Sequence, residues 1–474
     1  MALTDLGASA LSAGIAAREI APEALMEAVL DRIAAVNPQV NAVVSLRPRA
    51  DLMAEAAAAA ARLAAGESCG WLTGIPIAIK DLAATAGVVT TWGSPLWRDH
   101  VPTEDALMVR RLKAAGAIVI GKTNSPEFGL GSHTFNEVFG ATRNPYDLAR
   151  TAGGSSGGAA AALAARLVPL ADGSDMMGSL RNPAAFCNVY GFRPSWGLVP
   201  KDAEGDSFLA TLATEGPMGR SVEDVARLLT TMAGPTAAVP FGLAPAGDYA
   251  ATLDRSIAGR RIGWLADWGG AYAMEPGILA LCEAALDRLA DLGAEIVALP
   301  PPLPAEKLWQ SWTTLRAMLN AGSRRALYDD PAKRAQLKPE AIWEIEQGLT
   351  LPAQAVYEAS VIRSKHYARM AKLFETVDAV ALPSAQVWPF PVGMRHPTEI
   401  AGRPLDTYHR WMEVVVPVSL AGLPALSIPV GFGAQGLPMG LQIAGPHGGD
   451  LGVLQIGQAW HQATDWPGQR PPAL

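Results

Sequence analysis

The run Gly153-Gly154-Ser155-Ser156-Gly157-Gly158, followed by the nearly all-alanine stretch Ala159 to Ala165, constrains this fold more tightly than any other segment. Alanine favours helix and adds almost no girth. A helix this thin can pack closely against a sheet or another helix. Its N-terminus points at the glycine-rich loop, whose glycines permit backbone conformations closed to other residues. Val168 to Ala171 is then expected as a strand. It runs into a second glycine-rich segment, Gly173-Ser174-Asp175-Met176-Met177-Gly178-Ser179-Leu180-Arg181.

Helix–strand alternation continues on both sides. Pro22 opens a helix with Leu25, Val29, Leu30 and Ile33 at helical spacing, ending near Asn37-Pro38. Asp51 is expected to cap an alanine-rich helix that stops near Gly66. Ile75 to Ile79 reads as a buried strand, Ala106 to Ala115 as a helix, and Ala117 to Gly121 as the next strand. Further along, Arg261 to Leu265 and Glu295 to Leu299 read as strands around a long helix from Gly277 to Leu292. Ala379 to Pro383 and Ala425 to Val430 read as further buried strands. From Val414 to Gly449 no charged residue occurs, but five prolines and many glycines interrupt the segment. That rules out a lipid-spanning helix and predicts buried strands joined by tight turns. Together these signals predict an α/β fold, with a sheet sandwiched between helices.

Lys307 to Arg369 reads as helical, richer in charge and carrying Trp309, Trp312 and Trp343. It suits a solvated helical cap with aromatic anchors, a lid over a pocket, or both.

Half of the 474 residues are hydrophobic and 18% are charged, which suits a large core. The net charge of −7, without a basic tract, argues against nucleic acid as a partner. Cys69, Cys187 and Cys282 are too few and too scattered for a disulfide framework or a metal site, and fit a reducing cytoplasm. The seven histidines form no metal-ligand pair. Asp5 lies early and no basic segment precedes an apolar one, so no secretory signal is expected.

The chemistry-bearing residues need one another to be informative. Lys80 ends an apolar strand, so it is expected to be buried. Burial lowers a lysine pKa, and only the neutral amine can act as a base. Alone, such a lysine is more often a plain salt-bridge partner, and the loops downstream reverse that reading. GGSSGG alone reads as a turn or linker, or as a phosphate loop lacking the lysine that a P-loop requires. Ser179 sits in a loop whose backbone N–H groups, from Met176, Met177, Gly178 and Ser179, could converge as an oxyanion hole. Asp175 and Arg181 flank that loop and either shape it or form a surface ion pair.

Taken together, these segments resemble the amidase signature family. The resemblance extends to Gly121-Lys122-Thr123-Asn124-Ser125-Pro126-Glu127-Phe128, Arg143-Asn144-Pro145, Pro183 to Cys187, Gly216 to Asp224, Ala421 to Ala425 and Gly436 to Gln442. It is weakest from Pro300 to Arg410. It implies one large domain with a mixed, mostly central β-sheet covered by helices on both faces. Within it, residues 1–70 would form an N-terminal helical segment and 71–235 the core with the catalytic loops. Residues 236–474 would complete the domain, with a substrate-facing helical insertion around 305–410. The resemblance further implies Ser179 as nucleophile, Ser155 as a bridging serine after a cis peptide bond, and Lys80 as base. Gly154, Asp175 and Arg181 would shape the loops, and Met177 and Phe128 would touch substrate. No metal or organic cofactor is implied.

Met176-Met177 stand where the family usually has Thr-Gly, which alters the pocket wall rather than the backbone donors. The family's substrates include aliphatic and aryl amides, cyclic and oligomeric amides, carbamates and glutamine in tRNA amidotransferases. Trp388-Pro389-Phe390-Pro391 fits either an apolar pocket or core packing. The expectation is hydrolysis of small apolar or aryl amides, or carbamates, by a cytoplasmic monomer or homodimer with neither nucleic-acid nor membrane partners. The alternative is the glutaminase subunit of a tRNA-dependent amidotransferase.

Overall fold

The apolar runs become strands of one eleven-stranded sheet in the computed structural model, which describes residues 2–67, 70–202 and 205–474. In chain order the strands are β1 (Val43–Val44), β2 (Pro76–Lys80), β3 (Ile118–Thr123), β4 (Ala171–Asp175), β5 (Tyr190–Arg193) and β6 (Thr214–Gly219). They continue with β7 (Arg261–Trp264), β8 (Glu295–Ala298), β9 (Ala379–Pro383), β10 (Ala425–Phe432) and β11 (Pro438–Ala444). Across the sheet the order is β1-β3-β2-β4-β6-β5-β10-β11-β9-β7-β8. β2 runs parallel to β3 and β4, and β7 runs parallel to β8 and β9. Every pairing from β4 through β6, β5, β10 and β11 to β9 is antiparallel. β2, β3, β6, β9 and β11 are buried at every position. Helices cover both faces, which is why these strands read as near-continuous apolar runs rather than as alternating patterns.

The helices that matter here are α1 (Pro22–Val40), α2 (Arg49–Ala64), α3 (Leu107–Ala114), α4 (Gly157–Ala164), α5 (Arg181–Cys187) and α6 (Val222–Met232). After them come α7 (Ile278–Asp291), α8 (Ala305–Asp329), α9 (Pro339–Leu349), α10 (Ala353–Leu373) and α11 (Asp450–Thr464). α4 is the thin alanine helix, and all eight of its residues are buried. It packs on β2, β3, β4 and α5. Its approach is so close that a Cβ on Gly158 would lie 2.3 Å from the Asn124 nitrogen.

Several elements differ from the sequence expectation. The strand expected at Val168 to Ala171 lies at Ala171–Asp175 instead. Pro169 cannot donate a ladder hydrogen bond, whereas Asp172 to Asp175 find antiparallel partners along β6. The first three residues of the second glycine-rich segment, Gly173 to Asp175, are therefore strand, not loop. Asp51 does not cap α2: Pro48 holds that position and Asp51 sits in the first turn, where it still favours the helix dipole. α1 runs through Pro38 to Val40 and ends on Asn41 in the left-handed region. The uncharged segment after Val414 begins with a short helix, Val416–Ala421, before the β10–β11 hairpin. Cys187 and Cys282 are buried free thiols, and Cys69 lies outside the described residues. Among the described residues no helix is long and apolar enough to cross a membrane.

Candidate active site

Three elements converge on one buried amine. Lys80 ends β2, Ser174 lies near the end of β4, and Ser155-Ser156 lead into α4. β2 and β4 are parallel neighbours, so both strands deliver their C-terminal ends to the N-terminus of α4. Lys80 is 1% exposed, Ser155 2% and Ser179 7%. Lys80 Nζ lies 2.7 Å from Ser155 Oγ, 2.8 Å from Ser156 Oγ and 3.0 Å from Ser174 Oγ. Burial pulls its pKa down to about 7, against the opposing pull of Asp172, Asp175 and Glu215. At neutral pH the amine is thus balanced between its charged and neutral forms.

The Gly154–Ser155 peptide is cis. Ser132 donates a side-chain hydrogen bond to the Gly154 carbonyl, and Thr134 Oγ1 donates to that of Gly153 at 2.8 Å. The Ser156 N–H donates to the Ser179 carbonyl at 3.1 Å, which lays the two glycine-rich segments side by side. Beneath them, Gly129 faces Ser155: a Cβ there would sit 3.3 Å from Ser155 Oγ.

The Asp175 carboxylate organises the turn around Ser179. It accepts the Gly178 N–H at 2.9 Å and the Leu180 N–H at 3.1 Å. Arg181 grips it through Nε at 3.0 Å and Nη2 at 2.9 Å, and Arg193 adds a contact at 3.2 Å. Burial alone would raise this carboxyl, but the two guanidinium groups and the backbone donors hold it well below the usual carboxylate range. All three side chains are fully buried, so of the two readings open for Asp175 and Arg181 the surface ion pair is excluded. Gly178 has φ +78, and a Cβ there would lie 2.2 Å from Asn182 Oδ1. The tight turn therefore requires glycine at this position.

One expectation changes. The Gly178 N–H is committed to Asp175, so it is not a free oxyanion donor. Among the described residues, the N–H groups of Met176, Met177 and Ser179 make no hydrogen bond and remain available.

α8 packs against the turn that carries Met176 and Met177. Trp312 Nε1 reaches Met177 Sδ at 3.2 Å, and Arg316 Nη1 reaches Met176 Sδ at 3.4 Å. Arg316 is itself paired with buried Glu344 of α9 at 2.6 Å, and Tyr408 joins them through hydrogen bonds of 2.6 and 3.0 Å. Phe128 has φ 53 and packs edge-on to Trp97, with the Arg324 guanidinium 4.8 Å from its ring centre. It borders the site through Gly129 rather than through the serine loops. Phe390 packs against His133 and Trp411, and the Trp388 indole donates to the Pro276 carbonyl, so that proline-rich stretch serves packing.

Sequence reasoning missed Ser156, Asp172, Arg193 and Glu215. Ser156 was overshadowed by its neighbour, although the amine touches both. Arg193 and Glu215 lie on strands distant in sequence and carry no local signature. Asp172 interrupts an apolar stretch, and that polar break was the only signal available.

The Amidase family model matches residues 24–454. A glutamyl-tRNA(Gln) amidotransferase subunit of Thiobacillus denitrificans is 36% identical over 488 residues, covering 98% of this chain and 99% of that protein. An acylamidase of Rhodococcus erythropolis is 34% identical over 471 residues, with 98% and 97% coverage. The crystal structure of a bacterial aryl acylamidase of the amidase signature family superposes with a TM-score of 0.92 at 29% identity, covering 98% of this chain and 99% of that one.

Proposed function

The chain belongs to the amidase (amidase signature) family, and from that premise we propose that it cleaves the C–N bond of small apolar or aryl amides through an acyl-enzyme on Ser179. The observation that carries this reading is the 2.7 Å contact between Lys80 Nζ and Ser155 Oγ in a buried site beside Ser179. A serine hydroxyl is a weak nucleophile until a base takes its proton. In the proposed reaction Ser179 Oγ attacks the carbonyl carbon and gives its proton to Ser155 Oγ. Ser155 passes its own proton to the neutral Lys80 amine. The oxyanion is received by the N–H groups of Met176, Met177 and Ser179, and one such donor contributes about 2.7–4 kcal/mol. The C–N bond then breaks, and the proton returns through Ser155 to the leaving nitrogen. Water, activated by the same relay, releases the acid.

The preference for apolar or aryl acyl groups rests on Met176, Met177 and Trp312, which place thioether and indole surface against the candidate nucleophile loop. Carbamates, and cyclic or oligomeric amides, present the same carbonyl and are further candidates. A second reading, glutaminase subunit of a tRNA-dependent amidotransferase, is favoured by the similarity to the Thiobacillus protein. The net charge of −7 weighs against direct tRNA binding.

The deciding experiment measures amine release by wild type and Ser179→Ala from an aryl amide, its carbamate analogue and glutamine. Turnover of an aryl compound that vanishes in the variant supports the amidase reading. Ammonia release from glutamine alone favours the amidotransferase reading.

A further inference from the structure

Two buried carboxylates share the Lys80 site without belonging to the serine relay. Asp172 precedes Ser174 by two residues on β4, so both side chains leave the same face. Glu215 stands directly opposite Ser174 in the β4–β6 register. Directly opposed residues share a face, with Cβ atoms about 5 Å apart. Ser174 Oγ is itself a Lys80 Nζ partner at 3.0 Å, and Asp172 Oδ1 accepts the Lys80 backbone N–H at 2.8 Å. The amine is therefore bordered by three hydroxyls and by two acids on the adjoining ladder.

The other charges around this cluster are accounted for. Asp175 is committed to Arg181 and Arg193. Lys122 of β3 acts on Asp172, and Lys201 and Asp202 act on Glu215 from the segment before β6. Among the described residues neither Asp172 nor Glu215 makes a salt bridge, with Lys80 or with any other cation; Lys122 acts on Asp172 and Lys201 on Glu215 more strongly than Lys80 does, while both acids act through space on the Lys80 amine.

We propose that Asp172 and Glu215 are positioning residues of the amide hydrolysis: they hold the Lys80 ammonium that forms when the Ser179 proton arrives, and so set the acidity at which the relay becomes competent. This rests on the reading of Lys80 as the base. During attack no net proton enters the site; one leaves Ser179 Oγ and one arrives on Nζ. The developing ammonium faces two acids, which favour it. The same acids keep part of the resting amine protonated, and that protonated fraction cannot accept a proton. Burial lifts Asp172 to about 6 and Glu215 to about 7, so both acids change charge in the same pH range as Lys80.

The test uses the full chain as wild type, Asp172→Asn and Glu215→Gln. Asparagine keeps an acceptor for the Lys80 N–H, so the local fold is retained. Lysines labelled at 13Cε are titrated by NMR, with Lys80 assigned through Lys80→Arg. In parallel, the rate at which a fluorophosphonate labels Ser179 is followed against pH. Each variant should move the Lys80 midpoint down by about one pH unit, and the acidic limb of labelling should move with it. An unchanged Lys80 midpoint in both variants overturns the proposal. So does a shifted midpoint with an unmoved labelling profile. Absence of Ser179 labelling in wild type, by contrast, overturns the underlying catalytic reading, and this proposal with it.

Discussion

Lys80 offers the clearest pH signature in the site. Burial holds its pKa near 7, and only the neutral amine accepts a proton. Activity should therefore rise with pH through the neutral range as Lys80 deprotonates, and a kcat/KM profile for an aryl amide checks this. A profile already flat below pH 6 would exclude Lys80 as the limiting base. Ser179→Ala should lower kcat by at least about 10⁴-fold, and Ser155→Ala by a comparable factor, because residues acting as one relay are not additive. Gly178→Ala should be more harmful than its size suggests. Its φ of +78 is unfavourable for alanine, and its Cβ would strike Asn182 Oδ1 at 2.2 Å. We expect a loss of several kcal/mol on urea unfolding together with lost turnover, since the clash falls on the Ser179 turn.

At the scale of elements, α8 joins the Met176–Met177 turn to the helical layer. Trp312→Ala should cost about 3–5 kcal/mol on urea unfolding, because the indole is fully buried against Met177. Glu344→Gln would leave the buried Arg316 guanidinium without its carboxylate, at a cost of about 3–5 kcal/mol. A lower melting temperature without loss of Ser179 labelling would fit that role. These contacts also mark where sequence reading stops. The strands were legible because both faces are buried, so β2, β3, β9 and β10 appear as plain apolar runs. Lys80, Ser155 and Ser179 were legible as motif residues, and Asp175 and Arg181 as their flanks. β4 lies later than the sequence suggests because its residues, Ala171-Asp172-Gly173-Ser174-Asp175, have turn composition; pairing with β6, and of Ala171 with β2, makes them a strand. The Arg316–Glu344–Tyr408 cluster was illegible because it draws on three segments, and helical periodicity does not say which helices meet.

Across the whole molecule, Arg181 ties the Ser179 turn to the far half of the sheet. Its guanidinium holds Asp175, and its Nη1 and Nη2 reach Gln442 Oε1 on β11 and Ser419 Oγ, each at 2.6 Å. Asp175 has a folded pKa below its unfolded value. Its contribution to stability is thus present above the ordinary carboxylate range and is lost only as pH falls through the depressed folded value. Asp175→Asn should cost about 3–5 kcal/mol, because two buried guanidinium groups lose their carboxylate. That deficit should be about the same at pH 7 and at pH 4, both above the depressed folded value, and thermal melts at the two pH values would check this. The central claim, that Lys80 activates Ser179 through Ser155, is tested most directly by intact-protein mass spectrometry after fluorophosphonate treatment at graded pH. The account predicts a single adduct on Ser179 that forms faster as pH rises through about 7 in wild type, and at least about 100-fold more slowly in Lys80→Met. An adduct on another residue, or equal rates with and without Lys80, would contradict it.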